Sequence, residues 1–579
     1  MTILTSLALA YDNMASRGEV PAFGFSQVGI GFLISLNADG TPDGVPIDLR
    51  QGTGKKKVAP PMAVPQPPKR TSGIAPSFLW DKTAYVLGVT AGEGKRTAQE
   101  HQAFIDKHQE WLAGTGDPGL KAFLGFLGWW SPERFEALGW PEEMKDQNLV
   151  FALESERLDN IRIHDRPAAR ELWARLSAEG EKSQAACLVT GAHAPVARLH
   201  PAIKGVWGAQ SSGASIVSFN LDAFTSYGHE QGDNAPVSEA AAFAYTTVLN
   251  HFLERGSGHR IQIGDASTVF WAEAEDAAAA DKADELAALL MDPDLKIEAE
   301  KVSAILERLK EGKSIGEFQP ALAPGVRFHV LGLAPNASRL SIRFYVEDEF
   351  GAIARRYAEH HERLRVEPPP KDPAPPMWRL LVETASLRRT ENIQPNLAGE
   401  WMRAILTGAP YPLTLLSSVI TRLRADHDVN ALRVGILKSV LIRNFDVEAP
   451  VSLDPKCPDP GYLLGRLFAV LDRFQETALG KVNAGIKERY FGSASASPSV
   501  VFPLLIRLNI HHQSKISKDP QKSKLGAYFE GQMSEIMNSL PPKFPATLNL
   551  EEQGQFALGY YHQLYRRKSE TAEAGEAAQ

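Results

Sequence analysis

The chain has 579 residues, enough for two or more domains with sizeable cores. Its 44% hydrophobic and 23% charged residues are a globular composition, neither disordered nor fibrous, and no apolar run reaches the ~18 residues of a membrane span. A net charge of −7 argues against nucleic-acid binding by the whole surface, so positive charge for any DNA contact has to be segregated; two cysteines, Cys187 and Cys457, are too few and too far apart for a zinc site or a disulfide framework.

The opening ILTSLALAYDNM has helical spacing and no basic leader or cleavage site, so it reads as a folded helix of a cytoplasmic protein. FGFSQVGIGFLISLNADGTPDGVPIDLRQ reads as a hairpin turning at residues 37–40. Residues 52–71, GTGKKKVAPPMAVPQPPKRT, hold prolines that argue against regular structure. They place Lys55, Lys56, Lys57, Lys69 and Arg70 at the two ends of a mobile basic loop, which is either a phosphate contact or a solvated excursion. Residues 78–89 are expected as strand. RTAQEHQAFIDKHQEWLA and GLKAFLGFLGWWSPERFEALGW follow as helices, with Trp129 and Trp130 in packing roles. VFALE from Val150 is a strand and RPAARELWARLSAEG a helix, so the sheet is mixed, with helices between strands.

Residues 187–254 read as strand, turn, strand, glycine-rich loop, strand, polar loop and capped helix. In KGVWGAQSSGASIVSF, Gly205, Gly208 and Gly213 let the backbone approach a ligand, and Gln210, Ser211, Ser212 and Ser215 supply neutral hydrogen-bonding groups. In HEQGDNAPVSEAAAF, Asn234 or Ser238 caps the next helix, whose amides suit an anion. A pair of ordinary tight turns accounts for the same residues, and both readings stand.

EAEDAAAADKADELAALLMDPD has the composition of an exposed acidic helix, and VRFHVLGLAPNASRLSIRFYVED from Val326 is strand, turn, strand. In the helix AIARRYAEHHERL, the adjacent His360 and His361 point to different sides and are assigned to the surface. RVEPPPKDPAPPM, residues 365–377, is a stiff proline-rich connector, beyond which apolar faces at helical spacing predict a bundle to residue 568. DPKCPDPGYLL from Asp454 is a second break, and SETAEAGEAAQ a disordered tail. The expected fold is α+β: a mixed region over 1–364, a linker over 365–377, a helical bundle over 378–568 and a tail over 569–579.

Enzymatic signatures fail. GTGKKK has Leu49 where a phosphate-binding loop needs its first glycine and Lys56 where it needs Ser or Thr. AQSSG replaces the first glycine of a hydrolase elbow with Ala209 and lacks a recognisable acid and histidine, and His164–Asp165 stands without further nuclease motifs. No catalytic centre, metal or cofactor is expected.

CLVTG, PVARLHPAIKGVWGAQSSGASIVSFN and AFTSYGHEQGDNAPVSEAAAFAYTTVLN, with NIQPNLAGEWMRAILTGAPYPLTLLSSVITRLRAD at residues 392–426 and the opening MTILTSLALAYDNM, resemble the large subunit of the subtype I-C CRISPR surveillance complex, Cascade. The resemblance implies a non-catalytic subunit beside the CRISPR RNA end. Such a subunit recognises the protospacer-adjacent motif in double-stranded DNA, aids duplex opening and recruits a helicase-nuclease, while base pairing reads the remaining sequence. It also implies other Cascade subunits as partners, among them a small helical subunit translated from within the same gene. With no methionine between Met402 and Met533, that internal start needs another codon, such as that of Val451 or Leu453. Under this reading Gln210, Ser211, Ser212, Asn220 and Asn234 contact a groove, and Arg198 and Lys204, with the basic loop, contact phosphates. The rivals are a serine hydrolase using the 208–213 loop and a scaffold that never touches DNA.

Overall fold

The strands FLISL and LVFAL are apolar at nearly every position, the pattern of a parallel pair buried on both faces. In the computed structural model, which describes residues 2–52, 57–68, 70, 73–178, 183–274, 277–291, 325–372, 374–480 and 482–566, they pair in that way. The chain is mixed α and β, with strands and helices toward its amino end and mostly helices toward its carboxyl end. Contacts divide it into two compact units: Met1–Pro201 with Ser218–Val248, and Ala202–Val217 with Leu249–Gln579. Among the described residues no helix is long and apolar enough to cross a membrane.

The strands of the first unit are β1 (Phe25–Gly29), β2 (Phe32–Leu36), β3 (Ile47–Asp48), β4 (Pro61–Pro65), β5 (Asp81–Lys82), β6 (Asn148–Leu153), β7 (Gln184–Ala186) and β8 (His193–Pro195). One sheet runs β3-β2-β6-β5, with β2 and β6 parallel. Phe32, Ile34, Leu36 and Phe151 on one face pack with Phe123 and Phe126 of the helix Pro118–Trp129, and Leu33, Val150 and Ala152 on the other pack with Val64 and Trp80. The expected hairpin is β2 and β3, closed by the Asn37 N–H donating to Thr41 O at 2.8 Å. Trp130 is core, stacked on Trp140 with ring centroids 4.6 Å apart.

Two expectations fail here. Residues 61–65 form a strand despite their prolines. The Gln66 N–H donates to Gly24 O and the Ile30 N–H to Pro60 O, so Pro61 and Pro65 fall at non-hydrogen-bonded positions opposite β1, where no N–H is needed. The outward carbonyls of Ala63 and Pro65 accept from His164 Nε2 at 3.1 Å and Trp80 Nε1 at 2.7 Å. Within residues 78–89 only Asp81–Lys82 is strand, and a short helix, Thr83–Val86, follows; Leu79 sits at φ 62°, where no strand continues.

The second unit holds an antiparallel sheet of β9 (Arg260–Ile263), β10 (Ala266–Glu273), β11 (Arg327–Asn336) and β12 (Arg339–Glu349) in the order β12-β11-β10-β9, including the predicted hairpin at residues 336–339. The acidic helix Ala277–Met291 is not simply exposed: Ala279, Ala280, Ala283, Leu286 and Ala287 are buried, so its apolar stripe faces the core. His360 and His361 are buried, not on the surface. They follow Tyr357 by three and four positions, which places both on the same packed stripe of the helix Phe350–Leu364. Nδ1 of His360 shares a hydrogen bond with the Tyr411 hydroxyl at 2.8 Å, and burial pushes its pKa well below the ordinary histidine value.

The predicted bundle is present as Leu397–Thr407, Leu413–Asp426, Ala431–Phe445, Pro460–Leu479, Ile486–Ala496, Pro498–Ser517, Ser523–Ser539 and Leu550–Leu564. WRLLVETASLRR gives only Met377–Leu381 and short 3-10 turns, held by buried Glu383, which forms ion pairs with Arg379, Arg388 and Arg433 at 3.0–3.2 Å. One apolar core runs from Ile261 to Tyr561, joining sheet and bundle. The proline-rich stretch is laced into this unit: the Tyr561 hydroxyl donates to Pro368 O at 2.6 Å and the Glu367 N–H to Val451 O at 2.8 Å. The tail 569–579 lies outside the described residues.

Candidate nucleic-acid interface

The predicted contacts fall in both units. In the second, Ile203 and Ala214 exchange two backbone hydrogen bonds at 2.8 and 2.9 Å and pinch the intervening residues into a closed loop. Gly213, at φ 94°, makes this closure possible, because a Cβ there would meet Ile203 O at 2.9 Å. Beyond the pinch, the Ser215 backbone bridges the start of β12, accepting from Leu340 N and donating to Ser338 O in the turn before it. Asn250 holds the entry, taking the Lys204 N–H at 2.7 Å and donating to Ala202 O at 3.1 Å, and the Trp207 N–H donates to Ser267 Oγ at 2.9 Å.

On this anchored loop Lys204, Trp207, Gln210, Ser211 and Ser212 are exposed. Among the described residues no hydrogen bond occupies the side chains of Gln210, Ser211 or Ser212, and no histidine addresses either serine. Residues 202–217 include Lys204 and no carboxylate. The arrangement offers neutral donors and acceptors, one cation and an indole to an external ligand. Of the three strands expected in residues 187–254 only β8 forms: the first gives way to a turn after β7, which ends at Ala186, and the third is reduced to isolated bridges.

In the first unit the predicted residues are more committed. Nε of Arg198 donates to Gln231 Oε1. Nδ2 of Asn234 donates to His229 O at 3.2 Å and Gln231 O at 3.0 Å, which fixes the 229–234 turn, while Asn220 is exposed. Ser238, rather than Asn234, caps the helix Glu239–Leu253, its Oγ accepting the Ala241 N–H at 3.2 Å. At the same helix end Cys187 Sγ accepts from Ser238 N at 3.2 Å and Val189 N at 3.4 Å. Burial pushes this thiol up, but the hydrogen bonds from Ser238 and Thr190 outweigh it and bring the pKa to about 6.

Of the basic loop, Lys57 pairs with Asp48 at 2.7 Å; Arg70 pairs with Asp81 and lies over the Tyr85 ring at 4.1 Å. Lys55, Lys56 and Lys69 lie outside the described residues. His164 is buried against β4, and among the described residues no group of three or more His, Cys, Asp or Glu could hold a metal ion. Sequence reasoning missed two exposed aromatic side chains, Trp207 and Tyr227. Each precedes a glycine in a polar run, the signal that could have found them.

The model of one protein family, described as CRISPR-associated protein (Cas_Csd1), matches residues 7–567. Among curated proteins none matches the chain.

Proposed function

The chain belongs to the Cas_Csd1 family of CRISPR-associated proteins, as the large subunit of a Cascade complex, and from that premise we propose that it reads the protospacer-adjacent motif of double-stranded DNA without catalysing a reaction. The reading includes a type I-C complex with CRISPR RNA, aid to duplex opening, recruitment of a helicase-nuclease, and a small helical subunit made from the same gene. The observation that carries it is the loop of residues 204–213, whose exposed Gln210, Ser211 and Ser212 have side chains that no described residue engages, on a backbone tied at both ends. Neutral amide and hydroxyl groups match base edges, and Lys204 beside them suits a phosphate. The other expected groove residues contribute less: Asn234 holds its own turn and Arg198 bonds Gln231.

The test compares the assembled complex with its Gln210→Ala and Ser211→Ala variants on duplexes carrying the correct or a scrambled motif. Each lost base-edge contact is expected to cost roughly 1–3 kcal/mol on the correct duplex and little on the scrambled one. A wild-type ratio between the two duplexes in both variants would remove this loop as the reader.

A further inference from the structure

Residues 226–229 make a tight turn in a surface loop of the first unit. Ser226 and His229 form a bridge, with the His229 N–H donating to Ser226 O at 2.8 Å, and the two residues between them, Tyr227 and Gly228, have φ 51° and 80°. Positive φ at both central positions is the type I′ pattern, normally filled by Asn, Asp or Gly. A tyrosine there is strained, and its side chain is fully exposed, so no described residue of the unit offsets the strain. The base of the turn is rigid: Asn234 bonds His229 O and Gln231 O, and Gly232 lies so close to Ala197 that a Cβ would meet its carbonyl oxygen at 2.0 Å. A strained aromatic on a fixed base is suited to inserting into something outside the unit.

Charge decides between the two classes of partner. Residues 218–238 contain Asp222, Glu230 and Asp233 and neither lysine nor arginine; the Arg198 guanidinium that donates to Gln231 puts one cation at the base, the carboxylates outnumber it, and a phosphate backbone is disfavoured. Leu221 is also exposed. An apolar, aromatic centre among carboxylates is the anatomy of a protein-binding hot spot, in which one tyrosine fills a pocket and charged groups line the rim.

We infer that Tyr227 is the anchor of a protein-docking loop whose partner offers an apolar pocket rimmed by lysine or arginine. The inference rests on the 204–213 loop, rather than Asn220 or Asn234, as the reader of DNA.

The test places a photocrosslinking p-benzoylphenylalanine at position 227 in the complete complex, assembled with its RNA, target DNA and helicase-nuclease, with exposed Leu158 as the control position. The expected adduct joins the loop to a protein segment containing lysine or arginine. An adduct only to DNA or RNA, or no adduct above the control, overturns the proposal. For the partner so identified, Tyr227→Gly should weaken binding about thirtyfold, the ~2 kcal/mol of a hot-spot side chain, and Tyr227→Phe should stay near wild type. Glycine suits φ 51°, so the Gly variant should melt no lower than the parent; unchanged affinity with intact folding also overturns the proposal.

Discussion

His108 shows how one buried side chain makes the fold sensitive to acid. Its Nε2 accepts the Leu79 N–H at 2.9 Å, so the proton sits on Nδ1, which donates to Phe104 O at 2.7 Å. Both nitrogens are used in the neutral ring, and burial holds its pKa down to about 4. The unfolded chain takes up this proton near the ordinary value of ~6.5 and the folded chain only near 4, so stability falls as pH drops through that interval. Urea unfolding across it should show His108→Gln losing less stability than the parent, by ~2–3 kcal/mol at the acid end. Parallel pH profiles would contradict this. Such a role was not legible in RTAQEHQAFIDKHQEWLA, where periodicity predicts the helix but does not reveal that Leu79, at positive φ, turns its N–H toward the ring. His360 and His361 teach the same lesson, because adjacency alone hid their common spacing from Tyr357.

Among the elements, the helix Pro460–Leu479 packs closely against Leu550–Leu564. A Cβ on Gly465 would meet Phe556 O at 1.9 Å, and one on Gly559 would meet Tyr462 O at 2.1 Å. Gly465→Ala should therefore destabilise the chain by on the order of 3 kcal/mol, since backbone rather than a flexible side chain must move. Gly531→Ala, in the helix Ser523–Ser539 with nothing within 4 Å, should instead stabilise it by ~0.5–1 kcal/mol. Thermal melts of the two variants should move in opposite directions. Helices of this kind were legible because their apolar residues recur at helical spacing, and the 336–339 hairpin because its strands alternate. The β4 strand was not, since prolines there disrupt a sheet only where an N–H is required. The 204–213 loop was legible as a glycine-rich polar segment, whereas its anchoring by Asn250 and Ser267 depends on partners over 40 residues away.

At the scale of the molecule, the last helices hold one another. The Tyr462 hydroxyl bonds His562 Nδ1 at 2.9 Å, Arg466 donates to Gln563 at 3.0 Å and Glu535 at 2.7 Å, and the Tyr560 hydroxyl donates to Asp472 at 2.9 Å. Asp459 caps Pro460–Leu479 through the Tyr462 N–H at 2.8 Å, so the first of these helices has its own start. If the small helical subunit proposed above is made from the same gene, expression with a carboxyl-terminal tag should yield a short product beginning near residue 450 beside the full chain. Mass spectrometry of the tagged species checks it, and full-length protein alone would refute it. The small β1–β4 ladder has a consequence for how copies of the chain meet in a crowded cell. Its outward N–H groups at 61 and 65 are deleted by proline, and its outward carbonyls at 63 and 65 are taken by His164 and Trp80. A stray strand from a neighbouring molecule finds little to pair with along the β4 edge, so that edge is poor seed material for the cross-molecular stacking that begins aggregation.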